Sequence, residues 1–147
     1  MGLKERVNDE MKAAMRARDS ARLSAIRLLL AAIKQKEIDD RVELGDAQVV
    51  AIVDKMIKQR RDSIEQFARA GRNELAAREQ FEIDVLATYL PRQADAAEIA
   101  AEIDAAIAQS GAAGPQDMGK VMGVLKGRLA GRADLSAVSA QVRARLS

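Results

Sequence analysis

Apolar residues recur every three or four positions along most of the chain, which is the spacing of one face of an α-helix. In the first stretch, Leu3, Val7 and Met11 share such a face. A sustained alternation of apolar and polar residues, the pattern of a half-buried strand, does not occur. The pattern therefore predicts an all-α fold, with helices over about residues 2–18, 20–38, 46–70, 73–90, 95–109, 117–130 and 135–146.

Several residues between these stretches have the character of helix ends. Gly71 can adopt the left-handed conformation that terminates a helix, and Asp95 with Glu98 has a form related to the capping box. We expect short polar side chains to cap the N-termini of the helices. These N-cap predictions fall on Asp19 or Ser20, Asp46, Asn73, Asp95 and Asp117.

The strongest domain boundary lies at Pro91, where both the backbone geometry and the charge of the chain change. Four helices before it can form an antiparallel bundle, and three shorter helices after it can form a small module. We therefore predict a four-helix bundle-like N-terminal domain over residues 1–91 and a three-helix C-terminal module over residues 92–147.

Glycine recurs every four residues near the C-terminus, at Gly119, Gly123, Gly127 and Gly131. Glycine inside a helix costs about 1 kcal/mol relative to alanine, so a compensating reason is expected. One reason is close packing of the backbone, and the other is a surface that must stay bare for a ligand. On a helical wheel Gly119 and Gly123 fall near Met122, which favours packing at least equally for these two.

The net charge of +2 is unevenly distributed. Residues 91–117 carry one basic and five acidic side chains, whereas residues 118–147 carry six basic and one acidic. A basic module behind an acidic spacer suggests a polyanion as partner, although a solvated helix face would look the same. The basic positions of this module are Lys120, Lys126, Arg128, Arg132, Arg143 and Arg145.

A second cationic cluster occurs in the third helix, at Lys58, Arg60 and Arg61. It could contact an anion or a phosphate. The alternative, which we favour, is the solvated face of a long helix with pairs such as Arg61 and Glu65.

Catalytic chemistry has little support in the composition. The chain contains no Cys and no His, which removes the commonest general base and the usual metal ligands, and nucleotide-binding glycine motifs are absent. We predict no catalytic residue, no metal site and no cofactor. Two Phe, one Tyr and no Trp also provide no aromatic platform for stacking single-stranded bases.

The N-terminus is charged and has no apolar core of a secretory signal, and no apolar run approaches the ~20 residues that span a bilayer. The expectation from these features is a cytoplasmic protein with no membrane partner.

Six short motifs, in this order, resemble the GatB/YqeY family along essentially the whole chain. They are RLL (27–29), KQRRDS (58–63), AGR (70–72), YLP (89–91), DMGKVM (117–122) and GRAD (131–134). The resemblance implies a C-terminal module similar to the tail domain of the GatB subunit of glutamine-dependent aminoacyl-tRNA amidotransferases, which contacts tRNA. It implies tRNA-backbone contacts by Lys120, Lys126, Arg128 and Arg132, to which we add Arg143 of the same module.

Three functional hypotheses follow. The first is a tRNA-binding or tRNA-amidotransferase-related protein. The second is an amidotransferase component, a carbon–nitrogen ligase that uses glutamine as amide donor and needs amidotransferase or synthetase subunits as partners. The third is a helical protein-interaction module without catalysis, in which the glycines provide close helix contacts.

Overall fold

The structure, a computed structural model, describes residues 2–147. These residues form α-helices and no strand, so the predicted all-α class is confirmed. None of the helices in this part of the chain combines the length and the apolar character needed to cross a membrane. The helices are α1 (Leu3–Arg16), α2 (Ser20–Asp40), α3 (Asp46–Arg69), α4 (Asn73–Ala87), α5 (Ala96–Ser110), α6 (Met118–Leu129) and α7 (Leu135–Leu146), with a 3₁₀ turn at Pro115–Asp117.

The helices form two compact units. Unit 1 ends at Leu90 and contains α1–α4, and unit 2 begins at Pro91 and contains α5–α7. Each unit buries the apolar stripes of its own helices, as the three-to-four-residue spacing requires. The fully buried side chains of unit 1 include Val7, Ile26, Leu29, Ile33, Val49, Val53, Ile57 and Leu86. Those of unit 2 include Ile103, Val121, Leu125, Leu129, Val138 and Val142.

The connection between α1 and α2 begins two residues earlier than predicted. Helix α1 ends at Arg16, and Arg18 adopts a left-handed conformation with φ of 55°. Asp19 then caps α2, because its carboxylate accepts the N–H of Arg22 at 3.2 Å. Of the two candidate caps, Asp19 is therefore the one that functions.

The predicted cap of α3 is wrong by one residue. The N-cap is Gly45, and the Gln48 side chain accepts the N–H of Gly45 at 2.7 Å. Asp46 accepts the N–H of Leu3 at 2.9 Å instead. This contact joins the first residue of α1 to the first residue of α3, so Asp46 stabilises the arrangement of two helices.

Helix α3 ends as predicted, at a glycine in the left-handed conformation. Gly71 has φ of 71°. Its N–H donates to the carbonyl of Ala68 at 3.1 Å, and the N–H of Arg72 donates to that of Phe67 at 2.8 Å. These two bonds satisfy carbonyls that the helix end leaves unpaired. The chain turns so tightly that α4 has Arg72, and not Asn73, as its N-cap.

Helix α4 ends at Ala87, earlier than predicted, and the next residues turn against α1. Arg6 of α1 donates to the carbonyl of Thr88 at 2.9 Å and lies 5.0 Å from the centre of the Tyr89 ring. Tyr89 is 2% exposed, and its hydroxyl forms no hydrogen bond with the described residues. Burial, with the Glu10 carboxylate nearby, raises the pKa of Tyr89. The Tyr89 ring is thus buried where the segment after α4 meets α1.

Removal of the Tyr89 ring should destabilise unit 1 far more than removal of its hydroxyl. Because the hydroxyl interacts at most with the nearby Glu10 carboxylate, Tyr89→Phe should lower the free energy of unfolding by about 1 kcal/mol. Tyr89→Ala should cost about 3–5 kcal/mol. Urea denaturation followed by circular dichroism measures both, with Phe81→Ala as an exposed aromatic control. Equal losses for Phe and Ala at position 89 would contradict this account.

Candidate nucleic-acid interface

The glycines of α6 face open space. A Cβ atom built on Gly119, Gly123 or Gly127 meets no atom within 4 Å, and all three residues are exposed. Of the two alternatives for Gly119 and Gly123, the structure favours an open surface over packing against another helix. The reason is that the apolar side of α6, through Val121, Leu125 and their neighbours, already fills the core of unit 2.

Two lysines border these glycines. Lys120 and Lys126 are exposed. Viewed down the helix axis at 100° per residue, Lys126 and Lys120 are about 120° apart, and the three glycines fall between them in angle. Gly119 and Gly123 are on the side of Lys126, and Gly127 is on the side of Lys120. We call this surface, Gly119, Lys120, Gly123, Lys126 and Gly127, the glycine face. It offers a bare helical backbone between two cations.

The two lysines differ in their surroundings. Lys120 lies 3.7 Å from the Asp117 carboxylate, a long and exposed pair that contributes little. Lys126 forms no ion pair or side-chain hydrogen bond with the described residues, and the same holds for Arg143 of α7. Lys126 and Arg143 are therefore the most available cations among the predicted nucleic-acid contacts.

Asp117 is the N-cap residue of α6, as predicted, but its side chain accepts no N–H of that helix. It lies in the 3₁₀ turn, and its carboxylate accepts the N–H of Ala113 at 2.9 Å. That hydrogen bond, with help from Lys120, lowers the pKa of Asp117. The carboxylate thus fixes the preceding loop and places a negative charge near the first turn of α6.

Arg128 is paired with α5. Its guanidinium contacts Glu102 at 3.1 Å and Gln109 at 3.3 Å. Arg145 of α7 forms an ion pair with Asp104 of the same helix. Three of the five acids that the charge pattern assigned to a spacer, Glu98, Glu102 and Asp104, belong to α5. This helix packs on α6 and α7 and neutralises part of their basic charge.

Arg132 has a structural role in unit 2. Its Nε donates to the carbonyl of Arg92 at 3.0 Å, and its terminal nitrogen contacts Glu98 at 2.9 Å. The Ala94 N–H donates to the Arg132 carbonyl at 2.9 Å, and the Gln93 side chain donates to the Gly131 carbonyl at 2.7 Å. The GRAD turn therefore holds the segment before α5 in place through hydrogen bonds. These bonds leave Arg132 few N–H donors for a ligand.

Glu98 is the centre of this cluster. It accepts two hydrogen bonds of 2.8 Å from Arg92, in the paired geometry that favours a guanidinium and a carboxylate. The bonds from Arg92, together with that from Arg132, lower the pKa of Glu98 to about 2. Sequence reasoning assigned Glu98 only to a cap box. The one signal in the sequence for this ion pair was Arg92, a basic residue six positions before Glu98 and next to Pro91.

The secondary cluster in α3 separates into different environments. Arg60 contacts Glu82 of α4 at 2.7 Å and donates to the Met56 carbonyl at 3.2 Å, so it connects two helices. Arg61 is exposed, and the expected partner Glu65 is paired with Arg69 instead. Lys58 is exposed and has an interaction of its own. Of the three side chains, Arg60 is thus engaged between α3 and α4.

The family model described as Yqey-like protein matches residues 4–146, nearly the whole chain. The chain belongs to this family. The resemblance to this family is thus confirmed, and both units of the fold lie almost entirely inside the matched region.

Curated relatives in this family are fungal proteins named altered inheritance of mitochondria protein 41, mitochondrial. The protein of Lachancea thermotolerans is 41% identical over 99 residues, covering 67% of this chain and 52% of the relative. The protein of Eremothecium gossypii is 39% identical over 102 residues, covering 67% and 56%. The chain spans about half the length of the curated relatives it matches.

The relatives correct one expectation. Their names describe mitochondrial proteins, and this conflicts with the cytoplasmic location expected from the N-terminal sequence, so that expectation is wrong. The inference failed because the absence of a secretory signal bears only on secretion.

Alanine on the glycine face should stabilise unit 2. Gly123 has free space for a methyl group, so Gly123→Ala should raise the free energy of unfolding by about 0.5–1 kcal/mol through helix propensity. Gly131→Ala should lower it by about 1 kcal/mol, because Gly131 has φ of 72°. Chemical denaturation of both variants measures the difference. A destabilised Gly123→Ala would mean that this face is packed.

Acid should weaken unit 2 as Glu98 becomes protonated. Its folded pKa of about 2 lies below the ordinary 4.5, so its stabilisation is complete above pH 4.5 and is lost as the pH falls towards 2. Glu98→Gln should lower the stability of unit 2 at neutral pH and reduce its pH dependence in that window. NMR signals of α5–α7 amides report on unit 2, with the exposed Glu74→Gln as control.

Proposed function

We propose that the protein binds structured RNA of the tRNA type through the glycine face of unit 2. The observation that carries the proposal is the exposed helical backbone of Gly119, Gly123 and Gly127 between Lys120 and Lys126. These glycines reduce helix stability and fill no packing role, so a requirement for a bare surface explains them better than packing does.

A nucleic-acid backbone suits the chemistry of this face. Phosphate contacts from lysine supply affinity without reading sequence, and a surface without side chains lets a sugar–phosphate backbone come close. A-form RNA presents a wide, shallow minor groove with 2′-hydroxyl groups, which is recognised mainly by shape. Exposed peptide groups at glycine and flanking ammonium groups are compatible with such a surface.

The resemblance of this module to the tail domain of the GatB amidotransferase subunit narrows the RNA to the tRNA class. Of the contacts that the resemblance implies, Lys120 and Lys126 lie on the glycine face, and Arg143 supplies a further unpaired cation in unit 2. Arg128 is held by Glu102, and Arg132 is held by Glu98. We therefore assign direct contacts to Lys120, Lys126 and Arg143 and an indirect role to Arg132.

The test is a fluorescence-anisotropy titration of a labelled tRNA transcript with the full chain at several salt concentrations. Lys120→Ala with Lys126→Ala should weaken binding and reduce the slope of log affinity against log salt by about 2, one for each lost phosphate contact. Lys34→Ala with Lys55→Ala is the matched control, because it removes two exposed lysines from unit 1. Equal effects of the two double variants would contradict the proposal.

A charge-neutral variant separates close approach from simple attraction. Gly123→Gln fills the open space on the glycine face and keeps every cation. It should weaken tRNA binding about tenfold or more, since the backbone is held away from the helix. Its salt slope should fall less than that of the lysine variant. Wild-type affinity in Gly123→Gln would exclude close approach to this face.

A further inference from the structure

One end of unit 1 carries arginines without partners. Arg16 is the last residue of α1, Arg18 lies in the α1–α2 turn, Arg72 is the N-cap of α4, and Arg78 lies in its second turn. All four are exposed. Within residues 2–147 their side chains form no ion pair or hydrogen bond, in contrast to Arg60, which is paired across helices.

A groove places Arg78 of α4 beside the start of α2, directly after the turn that follows Arg16 and contains Arg18. Ala21 and Ser24 from the first two turns of α2 line it together with Ala77, Arg78 and Phe81 of α4. The start of α2 therefore lies beside the second and third turns of α4. The small side chains leave about 590 Å³ open, and Phe81 is 41% exposed. We call Arg16, Arg18, Arg72, Arg78 and this groove the arginine end.

Two features add to the positive potential of the arginine end. The N-terminus of α2 lies there and contributes the positive end of a helix dipole. The carboxylate that lines the groove, Glu82, contacts Arg60 at 2.7 Å and is thereby neutralised. Two exposed acids oppose this potential: Asp19, which caps α2 through the N–H of Arg22, and Glu74 in the first turn of α4.

Arg18 occupies a position that would suit glycine. Its φ of 55° lies in the left-handed region, and residues with a Cβ atom adopt this backbone conformation at a cost in free energy. Arg41, at the other end of α2, has the same φ of 55°. The two arginines thus share the same local conformation, but only Arg18 lies at the arginine end.

We propose that the arginine end binds single-stranded nucleic acid, with guanidinium groups on the phosphates and one base against Phe81. Arginine pairs with phosphate through two parallel hydrogen bonds, and bases stack on exposed aromatic rings and on guanidinium planes. The sequence predicted no aromatic platform, and Phe81 is a single ring. The groove accordingly accommodates one base. This site does not depend on tRNA binding by the glycine face.

The lining of the groove favours a base over an acidic helix of a partner protein. A helix that docks in a groove needs several large apolar contacts at intervals along it. Here Phe81 is the one large apolar side chain among the lining residues, beside two alanines and a serine. A flat ring next to a guanidinium group matches the faces of a base.

The experiment measures binding of a fluorescein-labelled twelve-nucleotide oligouridylate to the full chain. Arg18→Gly should weaken binding about fivefold and lower the salt slope by about 0.7, the value for one phosphate of a single strand. Arg41→Gly is the matched control, because it removes the same group from the same backbone conformation. It should leave affinity within about twofold, and both variants should retain the wild-type melting temperature or exceed it. Equal losses in the two variants would overturn the proposal.

A second measurement tests the stacked base. The chain has no tryptophan, so Phe81→Trp provides a unique fluorophore, and oligouridylate should quench its emission. Phe81→Ala should weaken oligouridylate binding without changing the salt slope, because no phosphate contact is lost. If polyglutamate binds as tightly and oligouridylate leaves the tryptophan emission unchanged, the arginine end is a site for an acidic protein and the proposal fails.

The two RNA sites fail separately. Lys120→Ala with Lys126→Ala should leave oligouridylate binding within about twofold of wild type, because these residues belong to unit 2. Loss of tRNA binding in that double variant, with no effect of Arg18→Gly on oligouridylate, would retain the glycine face and reject the arginine end. The opposite pattern would retain only the arginine end.

Discussion

The pairing of Glu98 with two arginines sets the organisation of unit 2. Arg92 is the second residue of this unit, and Arg132 lies in the turn between α6 and α7. Both guanidinium groups meet one carboxylate near the start of α5. Paired ions with satisfied hydrogen bonds fix geometry more than they add stability, since their desolvation offsets much of the attraction. The contacts of Glu98 with Arg92 and Arg132 thus fix how the three helices of unit 2 are connected.

Internal pairing also decides which cations face a ligand. Arg60, Arg128, Arg132 and Arg145 are all paired with acids on neighbouring helices. The acidic α5 neutralises much of the charge that made the C-terminal module look basic. Among the remaining exposed cations, two groups are the glycine face of unit 2 and the arginine end of unit 1. The second is a larger group of unpaired cations, although the net charge of residues 1–90 is only +1.

Both surfaces combine a local loss of stability with an exposed cationic position. Glycine inside α6 and a left-handed Arg18 are each less stable than an available substitute. Sequence positions that violate local preference without a packing reason are commonly functional or strained. In α6 the exposed glycines provide backbone access, and at the α1–α2 turn the arginine provides a guanidinium group at the tip of a helix pair.

Apolar spacing and ordered motifs were sufficient to predict the class of fold, the seven helices and the family, because these are local properties of the chain. The left-handed Gly71 and the Asp95 cap could be predicted for the same reason, since their partners lie within a few residues. Two features depend on how the helices pack and could not be predicted from the sequence. They are the open space around the α6 glycines and the contact of Arg132 with Glu98, 34 residues away. A charge count cannot separate a paired cation from a free one, since the pairing partner comes from another helix.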